Sequence, residues 1–228
     1  MKAKIYRTLV AVLFLLVSGC AIEHTKKMDV RLPLPPIAKQ LPLRIGVYYS
    51  PEFIEYTQKV GQLELFERNR SDVPSKANLF ILIFPVGSSS RDLFDQITSS
   101  MFTTVIRTAG PSQSSGHLSL DGLLEPRIES FEFYGVGVTK ENPKSPHIAA
   151  SVSYVINLYN GPDGQLVSSM HVEGRSREST KAVSSHIKDN PTAEHAMQEA
   201  MARFMIDFYE RPEVKQWIAT RVLVSGDH

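Results

Sequence analysis

Side chains able to do covalent or acid–base chemistry are sparse in this chain, and few of them fall at spacings that chemistry requires. Cys20 is the only cysteine among 228 residues. Glu125 and Glu129 lie close enough in sequence to act as an acid and a base, although two glutamates on a strand edge are common without function. His186 and His195, with Asp189 and Glu194 nearby, contain metal-ligating groups but lack the His-Glu-x-x-His spacing that puts two imidazoles on one helix face, so a solvated surface is the better reading. Val86-Gly87-Ser88-Ser89-Ser90 stands between a predicted strand and a predicted helix, where backbone amides can hold an anion. It has no Gly-Lys-Ser/Thr, and serines there serve as caps. A Gly-x-Ser-x-Gly elbow is absent, which excludes serine hydrolases of that type. Arg175, Arg177, Lys181 and Lys188 could touch lipid head groups, but Glu173, Glu178 and Asp189 dilute their charge. Met197, Met201 and Met205 make one face of a predicted helix and read first as core, with an adaptable binding surface as the alternative. No catalytic constellation emerges. The expectation is a non-enzymatic protein with no metal and no cofactor.

The elements that must position these residues follow from periodicity. Leu43 to Ser50 and Leu79 to Val86 read as strands, the second apolar enough to be central. A short helical turn is predicted over 51–58 and a short strand near 63–66. Ser89 with Asp92 fits a capping pattern, and Leu93, Phe94, Ile97, Met101, Phe102, Val105 and Ile106 predict one long helix ending at Gly110-Pro111. Gly122 to Tyr134 reads as a strand broken at Pro126. Ile148 to Tyr159 alternates, with Ile148, Ala150, Val152, Tyr154, Ile156 and Leu158 on one face. It pairs with Gln165 to Arg175 across the turn at 160–164. A second long helix starts at Asn190-Pro191-Thr192, and a short last helix starts at Pro212. The fold class is therefore α+β: a mixed, mostly antiparallel sheet with two long amphipathic helices packed on it.

Composition narrows the function. Apolar residues make up 42% and charged residues 21%, ordinary values for a globular protein. Lys2, Lys4 and Arg7 precede an apolar run from Leu9 to Val17, the form of a cleavable signal and too short for the roughly 20 residues a bilayer span requires. Cleavage after Gly19 removes those three cations, taking 25 basic residues to 22 against 24 acidic, a net charge of −2. That balance argues against nucleic acid as a partner. A single cysteine excludes a disulfide within the chain.

Val17-Ser18-Gly19-Cys20 resembles the lipobox of bacterial lipoproteins. The resemblance implies cleavage between Gly19 and Cys20, lipidation of the Cys20 sulfur, and a membrane as a permanent partner, since each buried methylene contributes about 0.8 kcal/mol and two or more chains anchor stably. Ala21, in place of an inner-membrane retention Asp, implies the periplasmic face of the outer membrane. Residues 20–42, polar and then rich in Pro33, Pro35, Pro36 and Pro42, are expected to be an extended tether. They would carry one periplasmic domain over 43–220, with a polar tail over 221–228.

The strand Leu43-Arg44-Ile45-Gly46-Val47-Tyr48-Tyr49, Met101-Phe102 with Val105, the hairpin around Asp163-Gly164 and the run Ala196-Met197-Gln198-Glu199-Ala200-Met201 are similar in element order to envelope lipoproteins: the curli-secretion channel lipoproteins, the TolB N-terminal domain, and the accessory lipoproteins of polysaccharide export. The resemblance implies a binding or accessory subunit with an envelope protein partner. The alternatives are a ring-forming homo-oligomer of a secretion apparatus and a lipid- or glycan-binding lipoprotein. No pair of long amphipathic strands suited to a membrane barrel is evident.

Overall fold

The computed structural model describes residues 22–26, 28–31, 40–61, 80–110, 120–136, 147–161, 163–179 and 191–225. Gly19, Cys20, His186, Asp189, Lys181, Lys188 and the strand expected near 63–66 lie outside them.

Two sheets carry the α+β fold. The small one has the order β1-β4-β3, with β1 (Ile22–Thr25), β3 (Gln58–Gly61) and β4 (Phe80–Phe84). β4 is central there, as its apolar run predicts. The large one has the order β5-β2-β6-β7-β8, with β2 (Leu41–Tyr48), β5 (Phe102–Thr108), β6 (Gly122–Val136), β7 (His147–Asn160) and β8 (Leu166–Ser179). β2 runs parallel to both β5 and β6, whereas β6, β7 and β8 form a long antiparallel meander. Helices α1 (Pro51–Ile54), α2 (Val86–Met101), α3 (Thr192–Glu210) and α4 (Pro212–Ser225) complete the chain.

The alternation read in β7 is borne out: Ile148, Ala150, Val152, Tyr154, Ile156 and Leu158 all face the core at no more than 2% exposure. Phe94 of α2 joins the layers, touching Phe53 of α1, Tyr154 of β7 and Phe204 of α3 at ring-centroid distances of 6.4, 6.3 and 5.6 Å. Phe84 of β4 reaches Phe131 and Phe133 of β6 at 5.3 and 4.6 Å, closing the small sheet on the large one.

The structure departs from expectation at several places. The last helix, expected to be short, runs from Pro212 to Ser225 and so enters the expected polar tail over 221–228. The single long helix predicted to reach Gly110 ends at Met101, and Phe102–Thr108 is β5. Thr103, Thr104, Val105 and Ile106 are all β-branched and pack better on a pleated sheet than in a helix. The helix also begins at Val86, three residues before the expected cap at Ser89. Pro126 does not break β6. It pairs opposite Ile156, and β2 pairs with β6 only at Gly122 to Leu124, so the proline lies where one flank of the strand carries no ladder. The register slips between Ile128 and Ser130 instead. Finally, residues 22–25, expected in the tether, form β1.

β8 is the edge of the large sheet. Two of its backbone groups are taken by side chains: Arg175 N–H donates to Glu199 Oε2 of α3 at 2.7 Å, and Ser169 C=O accepts at 3.2 Å from Nη1 of Arg211, which lies between α3 and α4.

Candidate binding site

The best-organised polar cluster sits on β6 and β7. Glu125 and Arg127 are two apart on β6 and so share a face; Asn157 lies opposite Glu125, and Tyr159 opposite Leu123. Glu125 is buried, at 5% exposure. Its carboxylate accepts from Arg127 Nη2 at 3.1 and 3.2 Å on its two oxygens, from Tyr159 Oη at 3.0 Å and from Asn157 Nδ2 at 3.5 Å. Asn157 is itself held by Ser169 Oγ, which donates to its Oδ1 at 2.8 Å. Burial, then the bond to Glu125, pushes the Tyr159 hydroxyl above the ordinary tyrosine value, so it stays a donor. The Glu125 carboxylate likewise raises Arg127, which remains a cation.

Beside this cluster lies a depression of about 480 Å³ lined by Tyr48, Ser50, Glu52, Phe53, Tyr56, Glu125, Arg127 and Ile128. Local sequence builds it: β2 ends at Tyr48, Ser50 Oγ accepts from Phe53 N–H at the start of α1, and Pro51 suits the first helical position. The Glu52 carboxyl is held below its usual range by its own backbone amide and by Ser50. Aromatic walls, a cation and an exposed carboxylate make a surface that can bind a polar group. Its buried carboxylate already accepts from Arg127 on both oxygens and from Tyr159 on one. A second depression, of about 530 Å³, lies over Ala149, Ala150 and Ser151 of β7, between Glu132 and Tyr134 on one side and Glu173, Arg175 and Arg177 on the other.

The candidates read from sequence are mostly dispersed. Glu129 pairs with His171 Nδ1 at 2.9 Å and does not join Glu125. His195 Nδ1 meets Glu178 at 2.8 Å, while Glu194 turns inward to Lys26; among the described residues no group of three or more His, Cys, Asp or Glu is placed to hold a metal. The serines at the start of α2 face inward, with Ser90 Oγ 2.8 Å from Tyr154 Oη and Ser88 Oγ donating to Pro85 C=O. The approach is also closed, since a Cβ on Gly87 would stand 2.0 Å from Phe53 O. Arg175 is bound by Glu173, and Arg177 Nη2 lies 3.0 Å from His147 Nδ1. Met197 and Met201 are fully buried and Met205 packs on the core, so that face is core. Arg127, Asn157 and Tyr159 were missed, although alternation alone places Arg127 on the face of Glu125.

A second polar feature ties the N-terminal segment down. β1 pairs in parallel with β4, Ile22 opposite Phe80 through Thr25 opposite Ile83. Lys26 N–H then donates to Ile83 C=O at 2.8 Å, and Lys26 Nζ meets Glu194 Oε2 at 3.0 Å with side-chain exposures of only 3% and 11%. Farther on, Val30 C=O accepts from Gln96 of α2 at 3.2 Å and Arg31 C=O from Gln198 of α3 at 2.7 Å. Among the described residues no helix is long and apolar enough to cross a membrane.

No family model matches the chain, and no curated protein matches it. Several solved structures match it at low identity. A Xanthomonas campestris protein of family DUF330 is 14% identical, with a TM-score of 0.44 over 91% of this chain and 98% of that one. A candidate homologue of the neuraminyllactose-binding hemagglutinin from Helicobacter pylori is 8% identical, with a TM-score of 0.48 over 86% and 98%. A candidate lipoprotein from Caulobacter crescentus is 13% identical, with a TM-score of 0.35 over 58% and 83%.

Proposed function

We propose that this chain is a lipid-anchored bacterial lipoprotein on the periplasmic face of the outer membrane. In this reading its folded domain is a non-enzymatic binding or accessory subunit in envelope assembly, secretion or polysaccharide export. The observation that carries the anchor is the run from Lys2 to Cys20: cations, nine apolar residues, two small residues and the only cysteine. The non-enzymatic reading is supported by Glu125, a buried carboxylate beside a depression, whose oxygens are already engaged by Arg127, Tyr159 and Asn157. An aromatic-walled, half-polar surface of this kind fits a partner's side chains.

The experiment is Cys20→Ser in the native host, read by intact mass and membrane fractionation. The expected result is loss of the added lipid mass and release of the domain, or retention of the uncleaved precursor. Unchanged mass and unchanged fractionation overturn the anchor. Cross-linking of the wild-type chain in cells, followed by native mass, then tests the accessory role. A heteromeric complex of fixed stoichiometry is expected; a large homo-oligomer would instead favour a ring.

A further inference from the structure

We infer that the folded domain is seated directly on the lipid bilayer, by the end of the small sheet where Ile22 lies, and does not hang from a flexible tether. This rests on Cys20 being the lipid anchor. Only one residue separates Cys20 from Ile22, the first residue of β1. A fully extended chain spans at most about 3.6 Å per residue, so the first β1 residue stands within about 7 Å of the anchored one. A free stretch over 21–42 would have allowed about 80 Å by the same measure.

The reach is lost because residues 22–26 and 28–31 are strapped to the domain. Their attachments come from three separate elements: the β4 ladder and Ile83 C=O, the Glu194 carboxylate and Gln198 on α3, and Gln96 on α2. Val30 is buried at 6% exposure. Peeling the strap away would leave Glu194 as a charge in a site built to pair it, which is strongly unfavourable. Lys59, whose Nζ meets Glu23 at 2.9 Å, lies opposite Ile83, level with Thr25 at the other end of the strand, whereas Glu23, the next residue along β1, is exposed at this end. The occupant of this end is therefore a phospholipid surface, fixed by the chain length between lipid and strand. Partners are bound within one domain height of that membrane.

Lipidation consumes the Cys20 sulfur, so a cysteine introduced elsewhere is the only thiol of the mature protein. Glu23→Cys is suited to a label, since it stands next to Ile22 and its ion pair with Lys59 is exposed and weak. Gln165→Cys, exposed beside the β7–β8 turn, is the control. Full-length lipidated protein would be labelled with a fluorophore and reconstituted into phosphatidylethanolamine–phosphatidylglycerol vesicles carrying a head-group quencher. The expected result is loss of emission at position 23, with emission at 165 retained. A third protein inserts 20 Gly/Ser residues between Ala21 and Ile22, a coil of about 25 Å that leaves the fold untouched; emission at 23 should return. Lipidated protein whose label at 23 is quenched no more than with the insert overturns the seating while leaving the anchor intact. Absence of lipid mass removes the anchor, and the seating with it.

Discussion

Lys26 and Glu194, 168 residues apart in sequence, meet at 3.0 Å with almost no solvent on either side chain, and Lys26 Nζ also lies 5.9 Å from the centre of the Phe84 ring. The pair joins the first strand to the first turn of α3. Removing one partner leaves the other charged and buried, at a cost of about 3–5 kcal/mol, whereas apolar replacement of both is close to neutral. Glu194→Ala should therefore lower the urea midpoint strongly, and Lys26→Met with Glu194→Leu should recover most of the loss. Additive effects of the two single changes would show that the pair is not coupled.

Gly174 sets the distance between β8 and α3. A Cβ there would stand 1.9 Å from Ala196 O and 2.4 Å from Ala200 N, both backbone atoms that cannot rotate away. Gly174→Ala should destabilise by about 1–3 kcal/mol or more through overpacking. At Gly110 a Cβ would meet nothing within 4 Å, so Gly110→Ala is the matched control and should leave the thermal midpoint nearly unchanged.

The two sheets are closed by one ring. Phe84, fully buried against Phe131 and Phe133, should cost about 3–5 kcal/mol when cut to alanine. Hydrogen exchange provides the check: β1, β3 and β4 should lose protection before β7 and β8 do. Uniform loss across both sheets would mean that the small sheet is held mainly by its other contacts.

Alkaline pH should act on buried tyrosines. Burial raises Tyr154 and Tyr49 well above the ordinary value of 10.0, and raises Tyr159 and Tyr209 by less. A raised pKa means that the folded state keeps a proton the unfolded state releases. The stabilisation is complete below pH 10 and is lost as pH rises above it. Urea midpoints should hold from pH 8 to 10 and then fall. Tyr154→Phe, which leaves the fully buried Ser90 hydroxyl without its 2.8 Å partner, should lower stability at pH 8 and flatten the alkaline decline.

The Glu125 cluster offers a test of holding against chemistry. Tyr159→Phe removes one of the donors to a buried carboxylate and should cost about 1–3 kcal/mol. Arg127→Ala should also disturb any partner seated in the neighbouring depression, read as loss of its cross-linked complex with the fold intact by circular dichroism.

Much of this architecture is legible in the sequence where one residue pattern has one physical solution. Alternation from Ile148 to Leu158, interrupted at Val155, points to a strand, and Asn160 to Gly164 to a turn, with Gly164 at φ 65°. Phe102 to Ile106 is ambiguous, because Phe102, Val105 and Ile106 also fit a helical face, and only pairing with β2 decides for a strand. β1 is invisible from composition: Ile22-Glu23-His24-Thr25 is polar, and its ladder to β4 is made by backbone. The Glu125 cluster is half legible. Arg127 follows from alternation, but Asn157 and Tyr159 reach the carboxylate only through the register of β6 on β7, which no local pattern encodes.

The two side-chain plugs on β8 also bear on how copies of this chain can meet. Glu199 and Arg211 occupy Arg175 N–H and Ser169 C=O, groups to which an added strand would have to bond. Continuous hydrogen bonding from one molecule's sheet into the next is thus obstructed on that flank, and any assembly reaching it must use side-chain surfaces. Such contacts can be altered one residue at a time without unravelling the fold, which makes stoichiometry a property that point substitutions can tune.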